Sequence, residues 1–305
     1  MIIGKKGFEM SFGWMFAIIA GMIIIFLAIY FSTRFINFQQ TATGTETGKQ
    51  IEILLNPLET SFESAQTSSF IVSPESRIYN ACDDFGTFGT QTIQLSQNTF
   101  NKWTKTNIDV SFENKYLFSD SEVQGKTFFI FSKPFNLPFK IADLIYLTSS
   151  EKNYCFKNSP SNIEEELNNL NQSYLFTQNC PANSINVCFN GGNCDVNIGS
   201  DYVEKNESRM NYYSDALMYA AVFSDKDVYE CQLKRLMKRT GELTSLYQDK
   251  ISIISAKGCD SNLQNDLIQL SDYTKGYGSS SDIIAIGAFA DDLNKKNENS
   301  ICLLW

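Results

Sequence analysis

The sequence predicts an α+β protein in which a single N-terminal transmembrane helix is followed by a disulfide-braced extracytoplasmic domain, β-rich in its first half and helical in its second. Three observations carry that reading. Residues 10–33 form a run of 24 positions without a charge, and all eight cysteines follow it. Beyond the run, apolar residues recur first with period two and later at helical spacing.

The apolar run comes first. About 20 apolar residues rising 1.5 Å each cross a hydrocarbon core of about 30 Å. A removable signal peptide has a shorter apolar core, about 7–15 residues, and small residues at its cleavage site. Here the run ends in "AIYFSTRF", with Tyr30 and Phe31 where small residues are needed. Trp14 and Tyr30 suit the two membrane interfaces. Lys5 and Lys6 precede the helix, and Arg34 alone follows it before Lys49, which places the N-terminus in the cytoplasm and residues 35–305 outside. The expected organisation is a cytoplasmic leader (1–9), a membrane helix (10–33), a stalk with a connecting helix (34–65), a β-rich part (66–155) and a mostly helical part (156–305). The stretch outside is long enough to bury a sizeable core, as one large or two small units.

Cys82, Cys155, Cys180, Cys188, Cys194, Cys231, Cys259 and Cys302 are even in number and confined to the outer part, as expected of disulfides in an oxidising compartment. Eight cysteines allow 105 pairings. One local pair is readable: "INVCFNGGNCDVNI" alternates on both sides of Gly191-Gly192, predicting a β-hairpin with Cys188 opposite Cys194. The competing zinc site has little to work with, because the chain has no histidine and no Cys-x-x-Cys. No metal or cofactor is expected.

Within the stalk, Ile51, Leu54, Leu55, Leu58 and Phe62 make a helical stripe, with Pro57 either kinking it or starting a second helix. Ile108, Val110 and Phe112 alternate as in a half-buried strand, while "KTFFIFSKPF" and "DLIYLTSS" read as more fully buried strands. Ser161 with Glu164 has capping-box spacing, and Ser224 with Asp227 resembles a second cap opening the longest helix. "YSDALMYAAVF" reads as a buried helix. Leu233, Leu236, Met237, Leu243, Leu246 and Tyr247 form a stripe for core packing on the longest helix. Further helices follow from Leu263, Leu267 and Leu270, and from Ile286, Phe289, Ala290 and Leu293, before the apolar end "ICLLW".

The formal charge is −9, and residues 1–34 carry three positive and one negative charge, which leaves −11 for the remainder. Such a domain repels nucleic acid and anionic lipid surfaces, so neither is its natural partner, and the bilayer is expected as the partner of the apolar helix alone. The basic cluster "KRLMKR" (Lys234 to Arg239) reads as a solvated helix face. Without histidine, Ser-His-Asp and Cys-His catalysis are excluded within this chain. Ser149 and Lys152 match Ser-x-x-Lys but lack its companion motifs. The acid pairs Asp83-Asp84 and Asp291-Asp292 have no identifiable partners, "DSEVQG" is too incomplete for a calcium loop, and "GTFGT" and "GYGSSS" lack a phosphate-loop lysine. Asn171 and Asn206 head N-glycosylation acceptor patterns.

"KKGFEMSFGW" places Lys5, Lys6 and Gly7 directly before the apolar helix. This stretch resembles the prepilin-type leader of type IV pilins and the class III signal sequences of archaeal surface proteins. The resemblance covers about the first 31 residues. It implies that a membrane peptidase cuts after Gly7, leaving Phe8 as the N-terminus and the helix as anchor or filament core, with Lys6, Gly7 and Phe8 forming the processing site. Envelope or filament proteins would then contact the helix. Pilins place glutamate fifth after the cut, where this chain has Phe12; here Glu9 is second. The other reading keeps Glu9, Lys5 and Lys6 as interface charges on an uncleaved anchor.

Three functions are compatible with these features: a non-catalytic cell-surface protein, structural or binding, such as a pilin-like minor subunit; a tethered extracytoplasmic enzyme using a carboxylate pair; or an accessory subunit of an envelope complex. The absence of a catalytic motif favours the first. N-terminal sequencing of the membrane-extracted protein separates the leader readings, with Phe8 marking prepilin-type processing and Met1 or Ile2 a plain anchor. A start beyond Ser32 would overturn the anchor itself. The denatured, unreduced protein is expected to show no more than a trace of free thiol, and eight reactive thiols would sink the export argument.

Overall fold

A computed structural model describes residues 13–32, 34, 66–99 and 101–305. The processing residues Lys6, Gly7 and Phe8, the stalk 35–65 with its Ile51-to-Phe62 stripe, and the side chain of Ile108 lie outside the described residues. Among the described residues one helix, α1 (Gly13–Ser32), is long and apolar enough to cross a membrane, and none of it is buried.

Six strands form the first sheet: β1 (Gln66–Asp83), β2 (Thr90–Thr99), β3 (Lys102–Phe112), β4 (Tyr116–Phe118), β5 (Glu122–Asn136) and β6 (Lys140–Ser149). Their order is β3-β2-β1-β5-β6-β4. All pairs are antiparallel except β4 with β6. One face carries its own core, with Phe70, Ile78, Ile93, Leu95, Phe128 and Ile130 among its members. The opposite face of β5 and β6 contributes Phe131, Phe135, Leu144 and Tyr146 to the main core. Burial on both faces is why these two strands read as continuous apolar runs.

Helices do make up most of the stretch from residue 156, but a second sheet that was not expected occupies its beginning. It holds β7 (Tyr154–Lys157), β8 (Leu175–Phe176), β9 (Ile185–Phe189), β10 (Val196–Ile198), β11 (Tyr202–Lys205) and β12 (Ser208–Asn211), in the order β12-β11-β10-β9-β7-β8. Strands of two to five residues are too short to show a period, whereas the one helix among them, α2 (Ser161–Leu170), shows its own clearly. The predicted hairpin is also corrected. Cys188 and Cys194 are bonded, but β9 and β10 run parallel, Val187 opposite Val196. Asn190, Gly191 and Gly192 all have positive φ, and the Asp195 carboxylate accepts the Asn186 N–H at 2.7 Å. Together with the short disulfide loop, these turn the chain back far enough to re-enter beside β9 in the same direction.

The helices follow: α3 (Asp215–Phe223), α4 (Lys226–Ser255), α5 (Gln264–Lys275), a 3-10 turn at Ser280–Asp282, and α6 (Ile283–Glu298). Every residue of α3 from Ala216 to Phe223 is buried, as its unbroken apolar composition requires. Phe223 packs against Phe131 of the first sheet at 5.5 Å and Tyr154 of the second at 4.9 Å, so α3 joins the two sheets in one core. Neither expected cap forms. Pro160 precedes α2, with Ser161 already helical, and Ser224 ends α3 while Asp225 precedes α4. Leu246 leaves the predicted stripe and is 62% exposed; Tyr247 turns inward against Phe139 and the terminal Trp305. Cys259–Cys302 fastens that terminus, Cys155–Cys180 braces the second sheet, and Cys82–Cys231 ties β1 to α4.

A second tie between the sheets is ionic. Asp120, between β4 and β5, accepts hydrogen bonds from Lys152 and, at 2.9 Å, from Lys205 at the end of β11. Lys205 also donates to the Ser224 carbonyl at 3.2 Å, and the Asp225 carboxylate accepts the Ser121 N–H and hydroxyl at 2.8 Å each. Burial works to raise the Asp120 pKa, but the ammonium groups of Lys205 and Lys152 outweigh it and hold the carboxyl below its usual range. A carboxylate depressed in the fold stabilises above its unfolded pKa, about 4, and that stability is lost as pH falls through the lower folded value. Asp120→Asn is therefore expected to cost about 2 kcal/mol at neutral pH and to flatten the loss of stability below about pH 4. Urea titrations of the two proteins across that range check this; identical acid limbs would refute it.

A candidate recognition site

Four sequence features that carry no chemistry singly meet in space: the Asp83-Asp84 pair, "GTFGT", the basic cluster of α4, and "GYGSSS" after α5. The meeting begins with Arg235. The solvated face expected for "KRLMKR" is instead a clamp, and Arg235 is fully buried. Its guanidinium donates to the carbonyls of Phe88 (3.1 Å), Phe112 (3.2 Å), Glu113 (2.9 Å) and Lys115 (3.0 Å) and to the Gln232 side chain (2.7 Å). Burial lowers its pKa, while Tyr116 and Glu113 work in the opposite direction. Gln232 passes the contact on to the Leu117 carbonyl, which also receives Asn80 and Gln91.

The loop between β1 and β2 is held against this face of α4 along its length. Lys238 donates to the carbonyls of Asp84 and Gly86, and Lys234 lies 3.5 Å from the Asp84 carboxylate. Phe85 donates its N–H to Asp83 Oδ1 at 2.9 Å, an Asx turn. At Gly89 φ is +62°, and a Cβ would sit 2.5 Å from the Asp83 carbonyl and 2.8 Å from Arg235 Cγ. Cys82–Cys231 anchors the loop's start. Despite all these restraints, Phe85 is 82% exposed.

Beside this loop opens a cleft of about 590 Å³. Asp84, Gly86 and Thr87 form one wall, α4 forms the floor, and the end of α5 with Tyr277 and Gly278 forms the other wall. α4 and α5 come close where Gly241 faces Thr274, whose Oγ1 would lie 3.1 Å from an added Cβ. Glu242 and Lys275 line the cleft exposed, with no ion pair among the described residues. Burial, with Glu230 and Asp282 nearby, raises the Tyr277 pKa so far that its phenol stays neutral.

The other flagged residues lie elsewhere. Ser149 is buried and donates to the Gln124 carbonyl at 2.6 Å, while Lys152 serves Asp120, so the Ser-x-x-Lys pair is divided between two structural tasks. Asp291 accepts from the Tyr213 hydroxyl and Asp292 pairs with Lys296 at 3.0 Å. Asn171 and Asn206 are exposed, at the end of α2 and in the β11–β12 turn. All eight cysteines are bonded. Phe85, Glu242 and Lys275 went unnoticed in the sequence; an aromatic placed between Asp84 and Gly86 in a turn was the one available signal. No family model, curated protein or solved structure matches this chain.

Gly89→Ala is expected to cost at least about 2 kcal/mol, because alanine pays for the left-handed backbone and meets two neighbours. Phe85→Ala is expected to stay within about 0.5 kcal/mol of the parent. Denaturant unfolding of the full chain in detergent reads both. A large loss at Phe85 would mean that its ring supports the fold and is not held out for a ligand.

Proposed function

We propose that this chain is a single-pass membrane-anchored recognition protein, α1 the anchor and the disulfide-braced domain outside, binding its ligand at the Phe85 cleft without chemistry. The observation that carries the reading is the restrained loop: a covalent bond, an Asx turn and two hydrogen bonds from Lys238 fix the backbone that presents an almost fully solvated phenylalanine. Side chains held in a binding-ready position lose little entropy on association, and aromatic residues are favoured anchors for that reason. The uncharged helix and four disulfides support export and anchoring. The leader resemblance adds envelope or filament proteins as neighbours of α1.

The test uses the full chain in detergent on an array of saccharides and peptides, compared with Phe85→Ala, Lys275→Glu and Leu246→Ala. The expected pattern is a set of probes retained by the parent and by Leu246→Ala and lost by the other two variants. Binding indifferent to both cleft substitutions, or no binding at all, would overturn the reading.

A further inference from the structure

We infer that the cleft takes an acidic saccharide, a hydroxyl-rich chain bearing carboxylate or sulfate groups; this rests on the recognition reading above. Charge is the first argument. Three lysines (Lys234, Lys238, Lys275) and two carboxylates (Asp84, Glu242) line a cleft on a domain whose formal charge is −11 by the count given earlier. Lys234 is matched by Asp84. Lys238 uses two of its three donors on backbone carbonyls, which leave its positive charge uncancelled. Lys275 has no ion pair among the described residues. With Glu242 counted against them, the side chains lining the cleft carry one net positive charge on an otherwise acidic domain, with Glu230 and Asp282 close behind the Tyr277 wall, which suits a small anion and not a polyanion such as nucleic acid.

Polarity is the second argument. Besides the lysines and acids, the walls are hydroxyls and glycines, and the apolar floor residue Met237 is almost wholly covered. An amphipathic helix or a lipid tail fits a groove lined by large aliphatic side chains, and Met237 is the one such residue in this lining. A peptide that binds by strand addition needs a sheet edge, and the cleft is walled by two helices and a loop. Hydroxyls that both donate and accept match a ligand whose own groups do the same. Phe85 does not line the cleft itself but stands between the lining residues Asp84 and Gly86, and its exposed ring offers a flat apolar face against which the C–H side of a pyranose reaching out of the cleft can lie.

Calorimetry on the full chain in detergent tests this with tetragalacturonate, its neutral methyl ester and tetraglutamate. Tetragalacturonate is expected to bind at least about tenfold more tightly than either comparison, and to weaken as salt rises from about 50 to 300 mM. Lys275→Glu and Phe85→Ala should each weaken it about tenfold, with the unfolding midpoint of each variant serving as the check on folding. Equal affinity for the methyl ester removes the anionic part. Equal affinity for tetraglutamate, unmoved by Phe85→Ala, makes the cleft an acidic-peptide site and overturns the proposal. If none of the three binds while the array still shows probes sensitive to both cleft substitutions, the saccharide inference falls and recognition at Phe85 stands; if the array is also silent, both fall.

Discussion

The buried guanidinium of Arg235 is the constraint on which the rest of the domain depends. A charge taken from water is costly unless its donors are all engaged, and Arg235 engages four backbone carbonyls and one side chain. Those carbonyls come from Phe88, before β2, and from Phe112, Glu113 and Lys115 around the β3–β4 connection, so one residue of α4 gathers two loops that are far apart in sequence. The dependence runs both ways: the loops supply the solvation that lets α4 cross the sheet with a charge on its inner face. One turn earlier, Cys231 makes the same joint covalent with Cys82, closing a loop of 149 residues worth about 5 kcal/mol in the chain-entropy model.

Beneath the guanidinium lies a solution to a second problem. β4 is three residues long and pairs with β6 on one side alone, which leaves the other edge of Leu117 with an N–H and a carbonyl in a dry interior. Gln91 accepts the N–H at 2.9 Å, and Asn80, Gln91 and Gln232 donate to the carbonyl. Side-chain amides thus replace the missing strand, and an edge that would otherwise remain unpaired becomes the bed on which α4 rests. The second sheet reaches this assembly through α3 and through Asp120, whose two lysines come from the segment between the sheets and from β11.

What could be read in advance divides along physical lines. α3 was legible because a helix buried all round has no polar face to confuse, and β5 and β6 because burial on both faces leaves a continuous apolar run. The Cys188–Cys194 bond was legible from proximity in the chain, while the parallel direction of its strands was not, since left-handed turns at Asn190 and Gly191 are local choices that period two does not encode. Arg235 was hidden for a deeper reason. In an amphipathic helix a charge reads as solvent, and the carbonyls that reverse this reading lie more than 110 residues away. The cleft was hidden likewise: its acid pair, glycine stretches and lysines each lacked a local partner, and their partner was one another.

That convergence explains why a site would stand here. The β1–β2 loop spends its polar groups inward, on α4, whose Lys238 and Lys234 meet its carbonyls and the Asp84 carboxylate. A loop so bound has no polar reason to turn an aromatic outward, and burying a phenylalanine side chain is worth about 1.5–3 kcal/mol. The fold forgoes that gain at Phe85 while burying Phe88 more deeply three residues on, in a loop it has otherwise made rigid. A restrained backbone, an outward ring and an adjacent cleft whose Lys275 has no ion pair among the described residues coincide in one place, and the recognition proposal rests on that coincidence.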